Sequence, residues 1–212
     1  MAQIWNGAIR RLVAIGALGL ASGAADASVI SGSFTSDDQL EFLQLQVDSA
    51  GMVGITSFGY GGGMTASGPV TSGGFDTMLF VFNAAGALVA QSDDSLIAAI
   101  DSSTGLALDA GLSMNVLAGL YTVVLTEADN YPISSHLADG FERTDQGNFT
   151  PTLSGTCSAT SFCDFKGNAR TASWTLEVVV AAMTVPEPGS IALVGIAGLA
   201  CGVLRRRKPL TA

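Results

Sequence analysis

The 212-residue chain is poor in charge: 13% of its residues are Asp, Glu, Lys or Arg, against about a quarter in an ordinary soluble domain. Basic residues are scarcest. Six of the nine, Arg10, Arg11, Arg205, Arg206, Arg207 and Lys208, lie near the two ends, so residues 28–184 keep only Arg143, Lys166 and Arg170. Against these three stand 16 acidic residues, a net charge of −13. Such a surface repels phosphate backbones, which excludes nucleic acid as a natural partner and makes soluble cations the natural counter-charge. His136 is the only histidine, so a two-histidine metal motif cannot be built, and nothing positions a nucleophile and a base around it. Residues 59–74 hold seven glycines but lack the Gly-Lys-Ser/Thr ending and following helix of a phosphate cradle, and they read as a mobile loop. Long helical periods are missing too. Between residues 28 and 184 none runs beyond about ten residues, with one turn expected over 95–100.

Period-two alternation fills the gap. In Leu43-Gln44-Leu45-Gln46-Val47 the glutamines point to water, and in Trp174-Thr175-Leu176-Glu177-Val178 the Trp, Leu and Val point to a core. Tyr121-Thr122-Val123-Val124-Leu125-Thr126 behaves similarly, while Met78-Leu79-Phe80-Val81-Phe82 is apolar on both faces and suits a central strand. Asp48-Ser49-Ala50-Gly51 and Asn83-Ala84-Ala85-Gly86 each place an Asx first and Gly fourth, the chemistry of a type I turn closed by a left-handed glycine. Two hairpins are therefore expected, residues 43–47 with 52–58 and 78–82 with 87–91. Many short strands with Gly-rich links define an all-β class, an antiparallel sandwich or jelly-roll-like domain over residues 28–184.

The apolar excess, a mean hydropathy of +0.45, is concentrated at the ends. Arg10 and Arg11 precede the apolar residues 12–21 and an Ala25-Asp26-Ala27 site. These are the three parts of a secretory signal peptide over residues 1–27, too short in its apolar part to span a bilayer, with cleavage expected after Ala27. At the other end Pro186-Glu187-Pro188 leads into a Gly/Ala/Leu/Ile/Val run and the basic cluster Arg205 to Lys208. The 16 residues 189–204 reach roughly 24 Å as a helix, a short transmembrane span held with its basic end on the cytoplasmic side.

This tail, residues 185–212, resembles the PEP-CTERM sorting signal of Gram-negative bacteria. The resemblance implies that an exosortase, a membrane-embedded cysteine transpeptidase, recognises Pro186, Glu187 and Pro188 and removes the helix, much as a GPI signal loses its tail. It also implies an inner-membrane-anchored precursor that becomes a cell-surface or extracellular protein associated with exopolysaccharide and biofilm. The bland alternative is a permanent single-span anchor. Residues 74–126 resemble the pre-peptidase C-terminal type of secreted β-sandwich, through Gly74-Phe75-Asp76, the strand 78–82, Ala85-Gly86-Ala87-Leu88-Val89-Ala90, Asp93-Asp94 and Leu117-Ala118-Gly119-Leu120-Tyr121-Thr122-Val123.

Two candidate sites remain. Asp76, Asp93, Asp94 and Asp109 each flank a strand end, and carboxylates in loops suit calcium, although Asp is also a favoured turn former. Cys157 and Cys163, six apart in a Gly/Ser/Thr loop of an exported chain, are expected to form a disulfide, while Cys201 lies in the apolar tail. Asn148-Phe149-Thr150 fits the glycosylation pattern, but Pro151 follows it. The reading is a non-catalytic exported module. Its alternatives are a calcium- or carbohydrate-binding module, and a secreted hydrolase, which would need a nucleophile and base in contact.

Overall fold

In a computed structural model, residues 10–13, 26–155, 157 and 161–182 are described. Most of the expected signal segment and everything from residue 183, including Pro186, Glu187, Pro188 and the expected transmembrane run, lie outside them. Among the described residues no helix is long and apolar enough to cross a membrane.

The period-two runs are strands, and they divide between two sheets. One has the order β1 (Arg10–Val13), β3 (Glu41–Val47), β10 (Gly119–Glu127), β7 (Thr77–Asn83), β8 (Leu88–Ser92); the other has β2 (Asp26–Ser33), β11 (Ser173–Ala182), β4 (Gly51–Ser57), β9 (Gly111–Val116). Every pairing in them is antiparallel except β1 with β3. Leu43, Leu45, Val47, Leu79, Val81, Val123 and Leu125 from the first sheet meet Val53, Ile55, Trp174, Leu176 and Val178 from the second, forming the main core. The glutamine and tryptophan strands thus face as their alternation dictates.

A second core lies on the outer face of the first sheet. Phe42, Met78, Phe80, Phe82 and Val124 are covered there by Phe141, with Tyr131 and Leu137 packed alongside. This is why residues 78–82 are apolar on both faces. The covering segment, residues 128–147, has little regular structure beyond a 3-10 turn at Leu137–Asp139. It is followed by the short helix α1 (Phe149–Ser154), whose start is held by Asp37, with Oδ1 accepting from Asn148 N–H (2.6 Å) and Oδ2 from Thr150 N–H (2.9 Å).

Of the two expected hairpins, one forms. β7 and β8 pair antiparallel, and their turn has Asn83 Oδ1 accepting from the N–H groups of Ala85 and Ala87, both at 3.0 Å, with Gly86 at φ 78°. The other is corrected: β3 and β4 do not pair, because β3 bonds to β10 and β4 to β11 and β9. The Asp48 to Gly51 turn reverses the chain but carries it from one sheet to the other. Each strand still buries its apolar side in the same core, from opposite sides. Turn chemistry and alternation are satisfied by either arrangement; the pairing is decided by β10 and β11, far away in sequence.

The glycine-rich segment 59–74 is likewise not a plain loop. It holds a small hairpin of β5 (Gly63–Thr65) and β6 (Gly68–Val70), and Tyr60 within it is fully buried. Its glycines permit close backbone approach: a Cβ on Gly61 would stand 2.0 Å from the Ala99 carbonyl oxygen, and one on Gly74 would stand 2.3 Å from that of Ser173. Residues 95–98 form the single expected turn, closed by Ala98 N–H to the Ser95 carbonyl (3.0 Å). Cys157 and Cys163 are joined by a disulfide, with Cα atoms 6.2 Å apart.

The second core yields a stability test. Phe80 is fully buried with its ring edge-on to Phe141 (5.7 Å) and Tyr131 (6.2 Å). Phe80→Ala should cost roughly 3–5 kcal/mol by urea denaturation. A loss below about 1 kcal/mol would mean that residues 128–147 do not close over this face.

Candidate functional site

The register of the β7–β8 hairpin decides where its acidic residues go. Leu79 pairs with Ser92, so the continuation of β8 into Asp93 and Asp94 runs alongside the start of β7, just after Asp76. The three carboxylates converge, with one oxygen from each lying within 4.8 Å of the others. Asp93 and Asp94 are exposed, whereas Asp76 is 5% exposed and its Oδ1 has no hydrogen-bond partner. Tyr131 donates its hydroxyl toward Asp93 Oδ2 (3.4 Å).

Sequence reasoning missed Glu127, at the end of β10. It is fully buried, and neither carboxylate oxygen has a hydrogen-bond partner. A signal was present. Tyr121, Val123 and Leu125 form one face of β10, and period two places Glu127 on that same interior row. It pairs with Thr77, the residue after Asp76, which brings the two orphaned carboxyls to one end of the sheet.

The electrostatics follow from burial. Desolvation, with added repulsion from Asp94 and Asp93, pushes the Asp76 carboxyl up to about 9. Burial, then the proximity of Asp76 and Asp37, holds Glu127 well above the usual carboxylate range. Asp93 is raised by burial, partly offset by the Tyr131 hydroxyl, and Asp94 is raised by burial and by Asp93.

Asp109, the fourth expected member, is not in this cluster. Its Oδ1 accepts from Tyr60 N–H (3.0 Å) and the Ser57 hydroxyl (2.9 Å), and its Oδ2 from Gly61 N–H (2.7 Å). It fastens the glycine-rich segment to the sandwich. Asp164 works alongside it, accepting from the Tyr60 hydroxyl (2.6 Å) and from Asn168 Nδ2 (2.8 Å). Arg170 completes this node. It forms a buried ion pair with Asp101 (2.6 Å) and lies 3.9 Å from the Tyr60 ring centre. Although burial opposes ionisation, hydrogen bonds hold Asp164 low, and those from Ser103 together with Arg170 hold Asp101 low. A small cleft beside Asp76, lined also by Asp129, Thr150, Cys163, Asp164 and Phe165, is largely apolar.

His136 sits exposed, its Nδ1 3.4 Å from the hydroxyl of the adjacent Ser135. Phe165 is the one exposed aromatic among the described residues, with the Lys166 ammonium 4.9 Å from its ring centre.

The fold and these sites define an antiparallel two-sheet sandwich with an acidic corner. Residues 184–208 match the PEP-CTERM protein-sorting motif, which makes the chain one sorted to the cell surface by an exosortase-type system. No curated protein matches the chain. Among solved structures, the chain is similar to the pre-peptidase C-terminal domain of collagenase from Bacillus anthracis, at 11% identity and a TM-score of 0.37 over 81% of this chain and 94% of that one.

The two orphaned carboxyls set a pH dependence. Asp76 and Glu127 bind protons more tightly folded than unfolded, so their contribution is full below about pH 4 and is lost as pH rises, for Asp76 through about 9. Asp101 and Asp164 act oppositely, losing their contribution as pH falls below about 4. In chelator, the melting temperature should therefore fall between pH 5 and pH 8.5, and Glu127→Gln should flatten that fall. A melting temperature that rises over this range would contradict the assignment.

Proposed function

We propose that this chain is a non-catalytic module of the cell surface or extracellular matrix, made as a signal-peptide-bearing precursor and released from the inner membrane by exosortase processing. The observation that carries this reading is the position of the sorting motif. β11 ends at Ala182 and the match begins at residue 184, so removing everything after Pro188 leaves every described strand of the sandwich's C-terminal side in place. The N-terminal side differs. Cleavage after Ala27 would remove β1 and the first two residues of β2, leaving residues 28–33 paired with Ser173 to Val178. The apolar run after Gly189 holds the precursor in the membrane, with its Arg-rich end in the cytoplasm.

The non-catalytic part rests on the distribution of chemistry. Exposed His136 lies in a surface turn beside Ser135, and most of the buried carboxylates act as fasteners for loops. The association with exopolysaccharide and biofilm follows from the sorting route. A stacking platform for sugar rings finds only Phe165 exposed among the described residues, which favours the acidic corner over aromatic carbohydrate recognition.

Processing is tested in the native host. Intact-mass analysis of the exported protein should show residues 191–212 missing. With Pro186, Glu187 and Pro188 all changed to Ala, the tail should be retained and the protein should fractionate with the inner membrane. Finding residues 191–212 on the mature wild-type protein would overturn the reading.

A further inference from the structure

A buried carboxylate is costly unless hydrogen bonds or an opposite charge replace the water it loses. This protein meets that requirement at four aspartates. Asp37 accepts from Asn148 and Thr150, Asp101 accepts from Ser103 and is ion-paired with Arg170, Asp109 accepts from Ser57, Tyr60 and Gly61, and Asp164 from Tyr60, Lys166 and Asn168. Asp76 is the exception. It is 95% buried, its Oδ1 has no partner, and it shares a space of 4.8 Å with the carboxylates of Asp93 and Asp94. Glu127, fully buried with both oxygens unpartnered, adds a second orphaned carboxyl that interacts electrostatically with Asp76. Among the described residues the basic side chains have other partners: Arg170, which acts on Glu127 only through space, is paired with Asp101, Arg143 with Asp129, and Lys166 lies over Phe165.

We propose that Asp76, Asp93 and Asp94 bind one calcium ion, which clamps the start of β7 to the segment that follows β8. All-oxygen, all-carboxylate donors select a hard divalent cation over zinc or copper. The two exposed members leave room for water to complete six to eight ligands, which suits calcium better than the strict octahedron of magnesium. Asp76 supplies the buried ligand, and the hairpin register delivers the other two. The ion would stand where the fold has left an acceptor without a donor. Asp109 is not a ligand, since both of its oxygens are taken by Ser57, Tyr60 and Gly61. The inference is independent of the sorting route: failure of either leaves the other standing.

The test uses the full chain in detergent, stripped with EGTA. Calorimetric titration with calcium should give one site per chain with a Kd of about 0.1–1 mM. Several millimolar calcium should raise the melting temperature by roughly 2–6 °C over magnesium at equal ionic strength. Asp93→Asn with Asp94→Asn should lose that difference while melting in EGTA no lower than wild type, because removing like charges does not weaken the metal-free fold. Asp48→Asn, at a turn outside the cluster, should keep it. Terbium provides a second readout. The Tyr131 hydroxyl touches Asp93, so excitation of tyrosine should sensitise terbium emission that millimolar calcium displaces. Tyr131→Phe should remove most of that emission and change calcium affinity by less than about threefold. Equal melting temperatures in the two cations, a calcium response surviving in the double variant, or terbium emission indifferent to Tyr131 would each overturn the proposal.

Discussion

Strand β7 has no face that meets water, and much of the molecule follows from that constraint. Its inner row, Leu79 and Val81, closes on the opposite sheet, while its outer row, Met78, Phe80 and Phe82, closes under Phe141. A strand buried on both sides needs neighbours on both edges and a cover that is not itself a sheet. β10 and β8 are the neighbours, and residues 128–147 are the cover. Because β10 runs antiparallel to β7, its last residue, Glu127, arrives beside the first residue of β7. The same geometry that buries the phenylalanines therefore buries Glu127 and, one residue before β7, Asp76.

A second node operates at the glycine-rich segment. Asp109 gathers the N–H groups of Tyr60 and Gly61, and Asp164 takes the Tyr60 hydroxyl. Arg170 stacks near the Tyr60 ring and donates to the Tyr60 and Gly74 carbonyls. The lone buried ion pair among the described residues, Arg170 with Asp101, belongs to this network. Breaking one partner of such a pair is costly because it strands the other charge. The segment's glycines allow backbone to approach backbone, and the surrounding carboxylates then receive the N–H groups that this approach exposes. With a net charge of −13 over residues 28–184, that segment places one of its three cations, Arg170, inside among seven buried carboxyl groups.

The chain is modular in a physical sense. Its sorting motif lies in residues 184–208, beyond the last of the described strands, and is a linear motif beside an apolar run. The sandwich needs neither. Any activity of the secreted part must come from its own surface, and the acidic corner at Asp76, Asp93 and Asp94 is where that surface departs most from ordinary solvated turns.

The strands, their facing and the β7–β8 hairpin were legible in the sequence because they rest on short-range rules: alternation with period two, and an Asn-Ala-Ala-Gly turn that sets one register. The approach of Asp93 and Asp94 to Asp76 follows from that register and was legible for the same reason. The β3–β4 connection was misread as a hairpin, since a turn fixes the reversal of the chain and leaves open which sheet the next strand joins. The diversion of Asp109 to the Tyr60 segment, and the arrival of Glu127 beside Asp76, required β10 to be placed against β7 and residues 59–61 against the end of β9's lead-in. Those placements depend on contacts between residues more than 40 positions apart. The sequence by itself determined the class, the facing of each strand and the sorting route. Only the tertiary structure decided which carboxylates find donors and which are left without them, because donors are supplied by whatever backbone the packing of two sheets brings alongside.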